Sequence, residues 1–221
     1  QRAGQPRLAA RIASYQLAAR MQLATTDALD LRQETAHTQK LYGIGQKESD
    51  SYGRRCLIAR RLVERGVRFV QLYVNGQIWD NHSQLKAGLE SCCRRTDQPV
   101  AALLHDLKRR GLLDTTLVCW GGEMGRLPIA QLAGGGDGRD HNKNAFTLWM
   151  AGGGVKGGTI HGATDDLGFA SVEDRVSVPD WHATILHLLG LDHHELVFPR
   201  NGLDERLTGV FEPQVVHEIL A

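Results

Sequence analysis

Val67-Arg68-Phe69-Val70-Gln71-Leu72-Tyr73-Val74 is a short run rich in β-branched residues, and it leads into Trp79-Asp80-Asn81-His82. The run reads as a strand, and the polar tetrapeptide as the loop at its end. Before it, a helix is predicted from Ser49 or Asp50 through Val63, with Leu57, Ile58, Leu62 and Val63 turned inward and Gly66 ending it. After it, a helical region is predicted from Ser83 to Arg110, restarted at Asp97 and Pro99 and closed by Gly111. Thr115 to Trp120 forms a second predicted strand, running into Gly122-Glu123-Met124-Gly125-Arg126. A third, Ala145 to Met150, is preceded by Gly138-Arg139-Asp140-His141-Asn142. Strands separated by helical stretches predict βαβ units, hence an α/β fold with a mostly parallel sheet and flanking helices. Such a sheet collects its strand-end loops along one edge, where ligands bind.

Further out, Pro6 to Thr25 carries apolar residues at helical spacing, and residues 26–50 read as a loop with helical pieces. Residues 155–178 predict a hairpin excursion between glycines. Pro179 opens a helix through Leu189 that Gly190 stops, and Pro213 opens a last one through Leu220. Without an internal repeat, residues 1–221 are expected to form a single domain with 1–50 as a helical lead-in. A start with neither initiator Met nor signal-peptide order predicts a segment of a longer precursor.

Composition narrows the classes. Net charge is +1, with 26 basic and 25 acidic side chains, and the basic residues are scattered, which argues against a nucleic-acid surface. No apolar run approaches the ~18–20 residues that cross a bilayer. Cys56, Cys92, Cys93 and Cys119 show neither disulfide-framework nor zinc-ribbon spacing, and Cys56 and Cys119 are expected to be buried thiols.

The chemistry concentrates in the three polar clusters. Asp80 and His82 lie two apart in one loop, so both can converge on a divalent metal; a polar turn with an Asx hydrogen bond is the alternative. Glu123 has the chemistry of a ligand or general base, and Arg126 that of an oxyanion partner; a Glu123–Arg126 ion pair bracing the loop is equally open. His141 is a candidate ligand that Asp140 would orient, or simply a hydrogen-bonded loop histidine. Asp180 in a first helical turn reads as a cap, and His182 stays open. His193 and His194 read as diverging neighbours rather than a metal tract. No P-loop, dinucleotide fingerprint or G-x-S-x-G elbow occurs.

These clusters resemble, in order, the family catalogued as domain of unknown function 1501, frequent in planctomycetes. Cys56-Leu57-Ile58-Ala59-Arg60-Arg61-Leu62-Val63-Glu64-Arg65-Gly66, Trp79-Asp80-Asn81-His82, Trp120-Gly121-Gly122-Glu123-Met124-Gly125-Arg126, Gly138-Arg139-Asp140-His141 and His182-Ala183-Thr184-Ile185-Leu186-His187-Leu188-Leu189-Gly190 carry the likeness. The resemblance implies a sulfatase-like branch of the alkaline phosphatase and sulfatase superfamily, with its α/β sandwich. By position it implies Asp80, His82, Glu123 and His141 as ligands of a divalent metal (Ca, Zn, Mn or Mg), with Arg126 on the substrate anion. Asp140, Asn142 and His182 would support them, Asn142 standing where a second His is frequent. The implied activity is hydrolysis of a small-molecule or glycan sulfate or phosphate ester, in a periplasmic or exported protein. The likeness fits a carboxy-terminal half, so the nucleophile-bearing half and its Ser, Thr or formylglycine are expected to be missing from this chain. A non-catalytic anion- or carbohydrate-binding domain is the rival expectation, and a partner-binding scaffold a third.

Overall fold

The computed structural model describes residues 5–132 and 135–221. Helices and short strands are mixed along the chain, as an α/β composition predicts. Two compact units divide it: Gln1–Ile78 with Glu90–Asp106, and Trp79–Leu89 with Leu107–Ala221.

The first unit is helical. It contains α1 (Gln5–Leu29), α2 (Ala36–Leu41), α3 (Asp50–Glu64) and most of α4 (Leu85–Arg109). α3 ends where the sequence places its stop: Gly66 adopts φ 82°, and the Val67 N–H donates back to the Leu62 carbonyl at 3.0 Å. Ser49 occupies the N-cap position but spends its hydroxyl on the Gly43 carbonyl, 2.9 Å away. α4 runs through Pro99 without the expected restart. Pro99 is fully buried there, with Ala102 and Leu103 of the same helix, and that apolar burial offsets the lost backbone bond.

Tyr42, Cys56, Leu57 and Cys92 pack into this unit's core, and burial pushes the Cys56 thiol up to about 12. Inside it lies a charge network that apolar patterning does not reveal. Arg60, 2% exposed, has Nε 3.0 Å from Asp106 Oδ2 and Nη2 2.8 Å from Glu34 Oε2, and Nη1 donates to Glu64 at 2.5 Å. Tyr42 donates to the same Asp106 oxygen at 3.2 Å. Arg61 binds the Ala28 and Asp27 carbonyls at 2.8 and 2.7 Å and pairs with Glu34. Two buried guanidiniums are tolerable only with carboxylates this close.

Val67–Val74 keeps the alternation of a strand, with Val70, Leu72 and Val74 half-buried and Phe69, Gln71 and Tyr73 exposed. Among the described residues it joins no ladder, because no neighbouring strand offers main-chain partners.

The second unit contains α5 (Val178–Leu188) and four two-stranded pairs, all antiparallel. β1 (Val118–Trp120) pairs with β4 (Trp149–Ala151), and β2 (Gly125–Arg126) with β3 (His141–Asn142). β5 (Ala163–Thr164) pairs with β6 (Ser171–Glu173), the expected hairpin, and β7 (Val197–Arg200) with β8 (Leu203–Arg206). The mostly parallel sheet predicted from the sequence is therefore not formed among the described residues. Among the described residues the link from Trp120 to Trp149 holds no helical crossover but doubles back as the β2–β3 pair, so its strand returns antiparallel. β7 and β8 turn at Asn201-Gly202, with φ 52° and 80°, a type I′ signal that strand patterning alone overlooks.

α5 opens with a capping box: Asp180 N–H donates to Ser177 Oγ, and Ser177 N–H to Asp180 Oδ2. The same helix undoes the predicted final helix. Asp180 Oδ1 takes the Gln214 N–H at 2.8 Å and Thr184 Oγ1 the Val216 N–H at 3.0 Å, leaving only a 3-10 turn at His217–Ile219. Cys119, expected to be buried, is exposed on the short strand β1, although partial burial still pushes its thiol up to about 11. No helix among the described residues is long and apolar enough to cross a membrane.

Candidate metal centre

Three main-chain hydrogen bonds stitch the candidate loops together within the second unit. Arg139 N–H donates to Asn81 O (3.1 Å), Gln131 N–H to Gly138 O (3.0 Å) and Leu127 N–H to Asp140 O (2.8 Å). Two glycines allow the chains this close. A Cβ on Gly138 would lie 1.9 Å from the His82 carbonyl oxygen, and one on Gly125 would lie 2.1 Å from that of Ala145. The β2–β3 register sets Arg126 opposite His141, so the two side chains leave the same face.

The result is a convergence on one oxygen. Oδ1 of Asp80 lies 3.0 Å from His82 Nε2, 3.0 Å from His141 Nε2 and 2.6 Å from Arg126 Nη1. The two imidazoles face each other with ring centroids 4.9 Å apart. One donor atom from each of Asp80, His82 and His141 falls within 4.8 Å of the other two, which makes the trio a possible metal-binding triad. Two ligands of one ion with bonds of ~2.0–2.2 Å lie at most about 4.4 Å apart, so the span is close to what a metal would close. Among the described residues no other trio of His, Cys, Asp or Glu converges this tightly.

His82 Nδ1 lies 2.8 Å from Gln131 Oε1. With the amide oxygen as acceptor, Nδ1 carries the proton and Nε2 presents a lone pair to Asp80 Oδ1. Two lone pairs facing each other call for a proton or a cation between them, so the donor set suits a divalent ion. The hydrogen bond from His141, joined by Arg126, holds the Asp80 carboxyl below its ordinary value. Asp80 is therefore an anion at neutral pH. Arg126 Nη1 is buried and makes an ionic contact rather than an aligned hydrogen bond.

The structure thus unites Asp80, His82, His141 and Arg126. Glu123 is exposed outside this cluster, and the alternative Glu123–Arg126 pair is not formed, since Asp80 takes the guanidinium. Asp140 does not orient the His141 ring; its carboxylate accepts the His141 backbone N–H at 2.7 Å. Asn142 is buried and structural: its amide donates to Gly168 and Phe169 carbonyls, and its oxygen accepts the Asn144 N–H. His182 is exposed on α5, outside the cluster. Gln131 was missed, its one sequence signal being a polar side chain just before the glycine-rich loop. His193 and His194 do not diverge: their rings lie 3.9 Å apart and, with His187 and His217, line a separate cleft.

Beside Asp80 stands an aromatic row. Trp79 meets Trp120 edge-on at 6.2 Å, and Trp120 stacks parallel to Trp149 at 6.2 Å.

No curated protein and no solved structure matches the chain. A family model described as a protein of unknown function, DUF1501, matches residues 1–220, and the chain belongs to that family.

Proposed function

We propose that this chain carries the metal-binding part of a divalent-metal-dependent hydrolase of sulfate or phosphate esters, on a sulfatase-like fold. One observation supports the reading above others: an acidic oxygen and two imidazole nitrogens converge beside a half-buried arginine. Asp80, His82 and His141 would hold the ion, which when bound would polarise an ester oxygen. Asp80 contributes the negative charge, Gln131 fixes the tautomer of His82, and Arg126 offers fork-shaped N–H donors to an oxyanion. The attacking nucleophile is not one of these residues.

The test is metal analysis of the purified chain, with a screen of aryl sulfates and aryl phosphates on the protein that also carries the nucleophile-bearing half. The reading requires bound divalent metal and turnover that Asp80→Ala, His82→Ala and His141→Ala each abolish. Turnover unaffected by these changes would sink it. A second reading, a non-catalytic carbohydrate- or anion-binding domain, draws support from Trp79, Trp120 and Trp149, whose indole faces suit a sugar ring. Glycan binding measured by calorimetry, without turnover of these esters, would favour it.

A further inference from the structure

Arg126 and a metal ion compete for the same atom. Its Nη1 lies 2.6 Å from Asp80 Oδ1, the oxygen both histidines address. An ion bonded to that oxygen would sit within about 5 Å of the guanidinium, and two cations that close repel strongly in a partly buried site. Little but charge holds the arginine in place. Nη1 makes no aligned hydrogen bond, and the side chain is 28% exposed, so it has room to leave. Its backbone is less free: Gly125 and Arg126 are registered against Asn142 and His141, and the Leu127 N–H is bonded to Asp140 O. The side chain therefore swings on a fixed anchor and stays beside the cluster.

We propose that Arg126 is an internal counter-cation that occupies Asp80 until a divalent ion displaces it, and that its release creates the oxyanion site. Cation and oxyanion binding are then coupled: the cation binds first and frees the guanidinium, and the anion binds second, bridging to it. Coupling of this kind is reciprocal, so sulfate tightens the cation by the factor by which the cation tightens sulfate. The inference rests on the metal reading of Asp80, His82 and His141 and adds a role for Arg126 to it.

Calorimetric titration of the protein with MnCl2, with and without sodium sulfate, tests both levels. Wild type should bind Mn2+, and sulfate should tighten that binding severalfold. Arg126→Gln should bind Mn2+ roughly tenfold more tightly without sulfate and lose the sulfate effect, a size ordinary for coupled sites. Arg126→Lys, which keeps the charge, should restore the competition, and circular dichroism of each variant confirms its fold. Equal or weaker Mn2+ binding by Arg126→Gln, beside a wild type that binds, overturns the competition and leaves the metal reading standing. Failure of Mn2+ to bind wild type and Arg126→Gln alike overturns both.

Discussion

Arg126 and His141 face each other across the β2–β3 pair, and both reach the same carboxylate oxygen of Asp80, at 2.6 and 3.0 Å. The pairing of two strands only two residues long thus sets two of the four side chains of the cluster. Residues that touch no ligand but hold this geometry should matter almost as much as the ligands themselves.

Gln131 is the first such residue. Gln131→Leu removes the acceptor for His82 Nδ1 and lets the ring choose either tautomer. Divalent-metal affinity should fall by about 10- to 100-fold, as is usual when an outer partner of a ligating histidine is lost. Gln131→Glu keeps an acceptor and should retain binding, and Mn2+ calorimetry on the two variants separates the cases.

Gly138 is the second. An added methyl group would stand 1.9 Å from the His82 carbonyl oxygen and 2.6 Å from the Ser83 nitrogen, both main-chain atoms that cannot swing aside. Gly138→Ala should lower stability by roughly 1–3 kcal/mol, the usual cost of overpacking, and weaken metal binding by pushing the His82 loop away. Urea denaturation and the same titration report the two effects separately.

In the helical unit, Arg60 is the residue whose loss should be felt most. Arg60→Met takes from buried Asp106 its arginine partner and leaves Glu34 with Arg61 alone. A cost of about 3–5 kcal/mol is expected, because an uncompensated buried charge is worse than no charge at all. Combining Arg60→Met with Asp106→Asn should recover part of it, measured by the urea midpoint.

Glu34 gives the acid side of the same network. Burial raises its carboxyl, but hydrogen bonds and charge from Arg61 and Arg60 outweigh this and hold its pKa below the ordinary 4.5. Its contribution to stability is therefore fully present above pH 4.5 and is lost as pH falls through its lower folded value. Glu34→Gln should be destabilising at pH 7, and its deficit against wild type should shrink on acidification below about pH 4, followed by denaturation midpoints.

Much of this was legible in the sequence because it depends on local chemistry. Gly66 stops α3, and Pro179 with Asp180 opens α5, since caps and stops act through neighbouring backbone groups. Asp80, His82, His141 and Arg126 stand out in their loops by residue type, but so does Glu123, which lies outside the cluster. What failed was pairing. Val67–Val74 has the alternation of a strand, but alternation does not say whether a partner is there. The Pro213 helix was lost to Asp180 and Thr184, which capture its N–H groups from more than thirty residues away. Arg60 lay hidden because an arginine in a helix usually faces water. Gln131 acts through one hydrogen bond that spans 49 residues, and no local pattern encodes that.

The stitches between Asn81 and Arg139, Gly138 and Gln131, and Asp140 and Leu127 have a kinetic consequence. Asp80 and His141 are 61 residues apart, and their meeting requires that loop to close before any contact there repays the entropy lost. The cluster should accordingly be among the last parts of its unit to assemble during folding, an order that pulsed hydrogen exchange would read. A cut in the backbone between His82 and His141 should therefore disperse the cluster while leaving α5 and its capping box intact.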